Sequence, residues 1–457
     1  MERDVLVIGA GIAGLAIAWE LSSRKGLLSE NSRLEVLEAA PRPGGNIRAE
    51  RREGFLCEWG PTGFLDDVPE TLDACTRLGL HDRLTAASTN AERRFVVKGG
   101  KLRELPAGVV SFLTSPVLSL GGKLRILGEP FVAARRDGVD ESVHEFASRR
   151  FGPETAGVLV DALVTGIWAG HAESLSIQSA LPRLAALERD HGGVLRGMMA
   201  RRPQGGAAAT RRGRLTSFPR GLEELPAALA ARLGERVRLG TEVTAIEPKD
   251  GGGYRISFAD GPPKDATAVV LACPAWRAAP LVAAMDQPLS DELAAIPSVP
   301  IAVVHLGFSR EDAPGLKGIG FLVPRAEHRS VLGTLLPSNV FPGRAPDGQV
   351  LASMMLGGAR DPSLVEATDH TLIDTACAAL RAFAGVRGAP RFSFTIRHPR
   401  GIPQYVIGHG DRLKAIAARL RSHPGLFLAG NSYRGIAINA CLAEAPRVAE
   451  EVAAFLR

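Results

Sequence analysis

The sequence predicts an α/β fold with α+β parts: a doubly wound nucleotide-binding domain built from separated segments, a mixed-sheet domain and a helical insertion. Three observations carry this. Residues 4–14 read DVLVIGAGIAG, an apolar strand followed by a glycine-rich turn and the start of a helix. Glu38 closes the next apolar strand, LEVLE. Near the far end, LFLAGN (426–431) reads as a buried strand stopped by a glycine. Apolar residues then recur at helical spacing from Ile438 through Cys441, Leu442, Ala445, Val448, Val452, Phe455 and Leu456.

Each element has a physical task in holding a dinucleotide. Val5, Leu6, Val7 and Ile8 form a buried parallel strand. In the turn made with Ala10, Ile12 and Ala13, Gly9 permits the tight bend and Gly11 lets backbone approach a pyrophosphate. Gly14 lets the helix from 13 to about 23 pack closely. The positive end of that helix points at the phosphates, and Glu38 can accept from a ribose diol. Ala39, Arg42, Gly44, Gly45 and Asn46 follow. This carboxylate, spacer, arginine and diglycine resemble the second half of the FAD signature in glutathione-reductase-like and amine-oxidase-like flavoproteins. The resemblance implies FAD, with Arg42 adding positive charge near the phosphates.

The closing segment is expected to meet the same cofactor. Gly430 and Asn431 lead through NSYRGIAI to Ile436, Ala437 and Ile438, where the last helix begins. Free backbone N–H groups at a helix start suit the electron-rich edge of a reduced isoalloxazine.

Composition sets the limits. A chain of 457 residues is expected to form two or three domains. Its opening lacks a basic leader and holds three spaced glycines, so it reads as strand, turn and helix, not as a signal peptide. No apolar run is long enough to span a bilayer. Cys57, Cys75, Cys273, Cys377 and Cys441 are scattered without paired spacing. They read as reduced thiols in the cytoplasm, with no disulfide frame or zinc site. The histidines do not cluster, so no metal is expected. The net charge is +6, but the arginines are dispersed and aromatics make up only 5%. That excludes a base-stacking platform, so no nucleic acid partner is expected, and an anionic substrate or membrane surface fits better.

Between the ends, FLCEWGPTGF (55–64) runs from a strand into a glycine-rich turn holding Gly60, Pro61, Thr62 and Gly63. FVVKGGKLREL (95–105) reads as a hairpin, residues 111–199 as mostly helical, and the basic, glycine-rich stretch 201–214 as a mobile connector. RVRLG, TEVTAI, YRISF and AVVLAC return as strands, followed by IAVVHLGF, GFLVP, SVLGTLL and QVLASMML and a helix at 371–384. The predicted domains are thus 1–75, 214–275 and 400–457 for FAD, 76–110 and 276–399 for substrate, and 111–213 for the insertion.

The ordered set GAGIAG, EWGPTGFL, TGIWAGHAESLSI, GFLVP, LGTLL, GIPQYVIGH and GNSYRGIAINAC resembles the oxygen-using protoporphyrinogen oxidases over essentially the whole chain. That family has the amine-oxidase-like flavoprotein fold. It oxidises protoporphyrinogen IX to protoporphyrin IX through FAD, with O2 as final acceptor giving hydrogen peroxide. The resemblance assigns Arg94 to a ring propionate, Leu322, Leu335 and Met355 to the macrocycle faces, and Gly166 to the reacting ring. It also extends the FAD contacts to Val243. Thr62 departs from the asparagine or arginine of some relatives. Noncovalent FAD, a tetrapyrrole with two propionates and room for a homodimer follow from the same resemblance. So does peripheral contact of a cytoplasmic protein with the inner face of the cell membrane, through LSLGGKLRILGEPF and FVAARR (118–136). The alternatives are a coproporphyrinogen oxidase, a flavin amine oxidase, and a non-enzymatic prenylated-GTPase chaperone. Amine oxidases usually flank the flavin with two aromatics, whereas this chain has only Tyr254, Tyr405 and Tyr433 as tyrosines.

Overall fold

The computed structural model describes residues 3–29, 32–106, 108–200, 213–327 and 330–457. Most of the stretch expected to be a connector, 201–212, lies outside these residues. The organising element is a five-stranded parallel sheet. Its order is Val237–Arg238, Ser32–Leu37, Arg3–Ile8, Ala268–Leu271 and Leu426–Leu428. Opening, middle and closing parts of the chain therefore share one sheet, and the order reverses around Arg3–Ile8. A reversal of this kind leaves a crevice at the carboxyl ends of the strands, where α/β proteins bind ligands.

One face of this sheet buries against the helices Ile12–Ser23, Glu224–Leu233 and Ile438–Leu456, through residues such as Leu15, Leu229, Leu442 and Val452. The other face is covered by a three-stranded antiparallel sheet (Val243–Pro248, Tyr254–Phe258, Lys264–Ala266) and by further helices. Two of those helices, Ala275–Val282 and Gln287–Ala294, were expected in the substrate part. They pack Ala278, Val282, Leu289 and Leu293 with Leu6, Ile8, Val269 and Leu271 instead. This puts them with the nucleotide sheet, across the boundary drawn at 276. The strand Phe392–Pro403 likewise runs through the boundary drawn at 400.

A second, mixed sheet of seven strands runs in the order Phe392–Pro403, Ser298–Ser309, Gln349–Gly357, Val331–Leu335, Gly320–Leu322, Phe95–Lys98 and Lys101–Glu104. The last two form the hairpin expected to turn at Gly99 and Gly100. Side chains alternate between its faces. Ala302, Val304, Phe321 and Met354 pack on the helix Asp369–Ala384 through Leu372, Ala376, Leu380 and Phe383. The opposite face, with Val303, Leu322, Leu335 and Met355, looks into a cavity. The helices between Val109 and Ala200 form the insertion beside that cavity.

Candidate active site

A cavity of about 1690 Å³ runs from the glycine turn of the parallel sheet to the open face of the mixed sheet. This exceeds the roughly 300–1,000 Å³ of a single drug-sized pocket, so it has room for two ligands end to end.

At the nucleotide end the three glycines do different things. Gly9 has φ +108°, and a Cβ there would press on the backbone of Ala272 and Cys273. A Cβ on Gly14 would collide with the Gly9 carbonyl oxygen, which is why the helix can come so close to the strand. Gly11 has nothing within 4 Å of a built Cβ. Its empty side is cavity, the space a pyrophosphate needs. Glu38 knits the walls together: its two carboxylate oxygens accept from the N–H groups of Ala10 (2.8 Å) and Ala40 (2.9 Å). A carboxylate has about four acceptor sites, so two stay available to a diol. Gly44 N–H donates to the Ala10 carbonyl at 2.7 Å, tying the diglycine loop to the turn.

Gly9, Gly11, Ile12, Ala13, Glu38, Ala39, Gly45, Asn46, Gly60, Pro61, Thr62, Gly63, Val243, Gly430 and Asn431 all line this half, with Ile436, Ala437 and Ile438. Neither the helix at Ile12 nor the one at Ile438 takes a side-chain cap at its start. Two sets of first-turn N–H groups are thus left for an electron-rich ligand. Ala10 and Gly14 act from behind the wall. Arg42 stands one step back from the wall. Its guanidinium donates to the carbonyls of Pro43 (3.1 Å) and Gly45 (2.8 Å), bracing its own loop without lining the cavity.

At the other end, Leu322, Gly333 and Met355 stand in one row across three strands, with Leu335 paired to Gly320 in the next row on the same face. Gly166, on the helix Asp161–Trp168, lies over Leu322, and a Cβ there would come within 2.8 Å of its Cδ2. Arg360 pins that helix to the sheet, donating to Thr165 Oγ1, the Val323 carbonyl and the Val331 carbonyl. Arg94 opens onto this chamber, exposed, and its side chain has no ion pair among the described residues. All five residues expected to meet substrate therefore share one chamber. Its other walls include Phe95, Leu159, Ala162 and Ile167.

A cradle sized for a dinucleotide, with two uncapped helix starts, is thus joined to a mostly apolar chamber. The sequence matches the flavin containing amine oxidoreductases over residues 12–453. The chain belongs to this family. Among its relatives, it is 34% identical to human protoporphyrinogen oxidase, covering 99% of this chain and 98% of that one. It is 31% identical to the chloroplastic protoporphyrinogen oxidase of Nicotiana tabacum, covering all of this chain and 86% of that one. Coproporphyrinogen III oxidase of Bacillus subtilis is 28% identical across 99% of its length. A putative protoporphyrinogen oxidase from Exiguobacterium has a solved structure similar to this one, with TM-score 0.85, 25% identity and 99% of each chain covered. The chain is thus a flavin-dependent oxidoreductase of the protoporphyrinogen oxidase group.

In this amine oxidoreductase the cavity wall also holds residues that the sequence reading passed over. Cys273, Trp276 and Arg277 follow the strand Ala268–Leu271. The signal was available: AVVLAC reads as a strand, and the residues after a parallel strand face the ligand crevice. His398 left no sequence signal and reaches the wall only through tertiary packing. The tyrosines Tyr254, Tyr405 and Tyr433 do not line the cavity, and Tyr405 donates to the Asn431 carbonyl at 2.7 Å. Burial pushes the thiols of Cys273 and Cys441 up to about 12.

Proposed function

We propose that this flavoenzyme carries out the six-electron oxidation of protoporphyrinogen IX to protoporphyrin IX in tetrapyrrole biosynthesis, with noncovalent FAD as prosthetic group and O2 as final acceptor. The observation that carries the choice of substrate is the composition of the sheet-end chamber. Its wall is mostly apolar, with Leu159, Ala162, Leu322, Leu335 and Met355 beside Thr165 and Thr334, and Arg94 stands at its edge. A macrocycle with carboxylates on one side and apolar substituents elsewhere matches such a wall. A ring carrying four propionates would set more carboxylates against that apolar wall.

FAD fits the other half, where Gly11 leaves room for a pyrophosphate and Glu38 keeps acceptor capacity for a ribose. Bound there, it would supply a two-electron acceptor that oxygen can regenerate. The high-pKa thiols at the wall are poor nucleophiles, which supports a noncovalent group. The protein's own contribution is positional. Arg94 offers a forked donor to a carboxylate. Leu322, Leu335 and Met355 offer apolar contact to the ring faces and exclude water, and Gly166, packed against Leu322, presents backbone to the same chamber. Hydride loss from a meso carbon is eased by the pyrroles themselves, so no acid–base dyad is required.

The test is an anaerobic mixture of purified holoprotein with fresh protoporphyrinogen, read by porphyrin fluorescence as air is admitted. Fluorescence should rise catalytically, with hydrogen peroxide formed. Faster turnover of coproporphyrinogen III would transfer the reading to the four-carboxylate substrate, the one acted on by the Bacillus subtilis relative.

We also propose that the insertion rests on a membrane surface, on the cytoplasmic side. No helix among the described residues is long and apolar enough to cross one. Leu120, Leu124 and Leu127 are nevertheless 73%, 60% and 53% exposed at helical spacing, and Phe131 beyond them is 87% exposed. Such a stripe, beside a chamber that takes an apolar ring, suits lipid.

A further inference from the structure

Two histidines of the mixed sheet reach across to the same short stretch of backbone. His305, on the strand Ser298–Ser309, places Nε2 at 3.0 Å from the Glu58 carbonyl oxygen. His398, on the strand Phe392–Pro403, places Nε2 at 2.7 Å from the Trp59 carbonyl oxygen. These carbonyls are consecutive. They end the strand Phe55–Glu58 and lead directly into the turn Gly60 to Gly63 that lines the cavity.

A carbonyl can only accept, so each imidazole must donate from Nε2–H. In the neutral ring that leaves Nδ1 as an acceptor. For His305 the acceptor is used, by the Ser353 hydroxyl at 2.9 Å. For His398 no bond to Nδ1 is formed by the described residues, and His398 is among the residues that line the cavity.

We propose that His398, seconded by His305, is a positioning residue of the cofactor cradle: it fixes the Gly60 to Gly63 turn against the mixed sheet and presents Nδ1 to the bound flavin as a hydrogen-bond acceptor. The clasp sets the height of the cradle above the sheet row that carries Met355 and Leu322. It thereby couples the two halves of the cavity through two side chains. This inference rests on the reading of the cavity as a flavin site.

The experiment reloads deflavinated wild type, His398→Gln and His398→Leu with FAD, following flavin fluorescence quenching and the visible absorption bands. Gln keeps an N–H donor and an oxygen acceptor at similar reach, whereas Leu keeps neither. His398→Leu should weaken FAD binding by about tenfold, the scale of one lost hydrogen bond, and shift the visible bands. His398→Gln should stay within a fewfold of wild type. Wild-type affinity and spectrum in His398→Leu, or equal losses in both variants, would overturn the proposal. If His398→Leu does not fold, His305→Asn against His305→Leu decides by the same two readouts. Wild type that takes up no FAD would overturn the flavin reading itself, which keeps the two failures apart.

Discussion

On the function proposed above, Gly11 is where backbone meets the cofactor's pyrophosphate. The side facing the cavity is empty, so Gly11→Val should fold and yet fail to retain flavin, because the isopropyl group fills the phosphate space. The flavin-to-protein absorbance ratio of the purified variant checks this, and a normal ratio would contradict the cradle. Arg94 is the complementary case, a charge with no ion-pair partner among the described residues. Arg94→Ala should weaken porphyrinogen binding by about 1.5–3 kcal/mol, the value of a hydrogen bond to a charged group, while leaving flavin content unchanged. An unaltered KM would remove Arg94 from the site. Arg42 shows the opposite economy: its charge is committed to the carbonyls of its own loop.

Among the elements, the helical insertion combines an apolar cluster, with Phe146, Val164, Trp168 and Leu187, with ionic staples. Arg150 is fully buried and donates from Nε to Glu129 Oε1 at 2.7 Å. Glu129, equally buried, also accepts the N–H groups of Val194 and Leu195, anchoring the start of the helix Val194–Ala200. Removing Arg150 leaves Glu129 buried without its ion-pair partner, at a cost of about 3–5 kcal/mol. Arg150→Met should therefore speed amide exchange at Val194 and Leu195, and adding Glu129→Leu should recover part of the protection. Exchange at wild-type rates in the single variant would show that Glu129 does not need its partner. The outer face is tested separately. Leu124→Asp with Phe131→Asp should lower cosedimentation with anionic lipid vesicles and leave activity on detergent-dispersed substrate intact. Undiminished cosedimentation would mean that another surface meets lipid.

Over the whole molecule, acid stability depends on bonds between segments far apart in the chain. Asp286 caps the helix Gln287–Ala294 and accepts from Arg419 (2.7 Å), in the last turn of the helix His409–Leu420, and from His423 (2.7 Å) just beyond it. Burial pushes its carboxyl up, but Arg419, His423 and the Leu289 N–H outweigh this and bring it down to about 2. A free aspartate titrates near 3.9. The folded state thus binds its proton later than the unfolded chain, and the contribution is present above about pH 4 and lost as pH falls toward 2. The melting temperature should drop across that window, and less steeply in Asp286→Asn. Parallel profiles would assign the acid limb to other groups. A second long-range tie joins three separate segments: buried Glu58 meets Arg344 at 3.3 Å and accepts the Leu222 N–H at 2.9 Å, while burial raises its carboxyl to about 7.

The opening strand, the glycine turn, Glu38 and the terminal helix were legible because their tasks are local. Period, φ and helix spacing are properties of adjacent residues, and each limits which side chain can stand there. The meeting of both chain ends in one parallel sheet followed from matching strand, glycine and helix signals at each end. What tertiary packing alone decided is where non-local contacts compete. The helices at 275–294 belong with the nucleotide sheet because Val282, Leu289 and Leu293 find apolar partners there. Arg42 braces its own loop because nearby carbonyls accept its donors. His305 and His398 share a task only because two strands nearly a hundred residues apart lie side by side. No local pattern records such pairings, since a side chain's partner across a sheet is set by register and not by its neighbours in the chain.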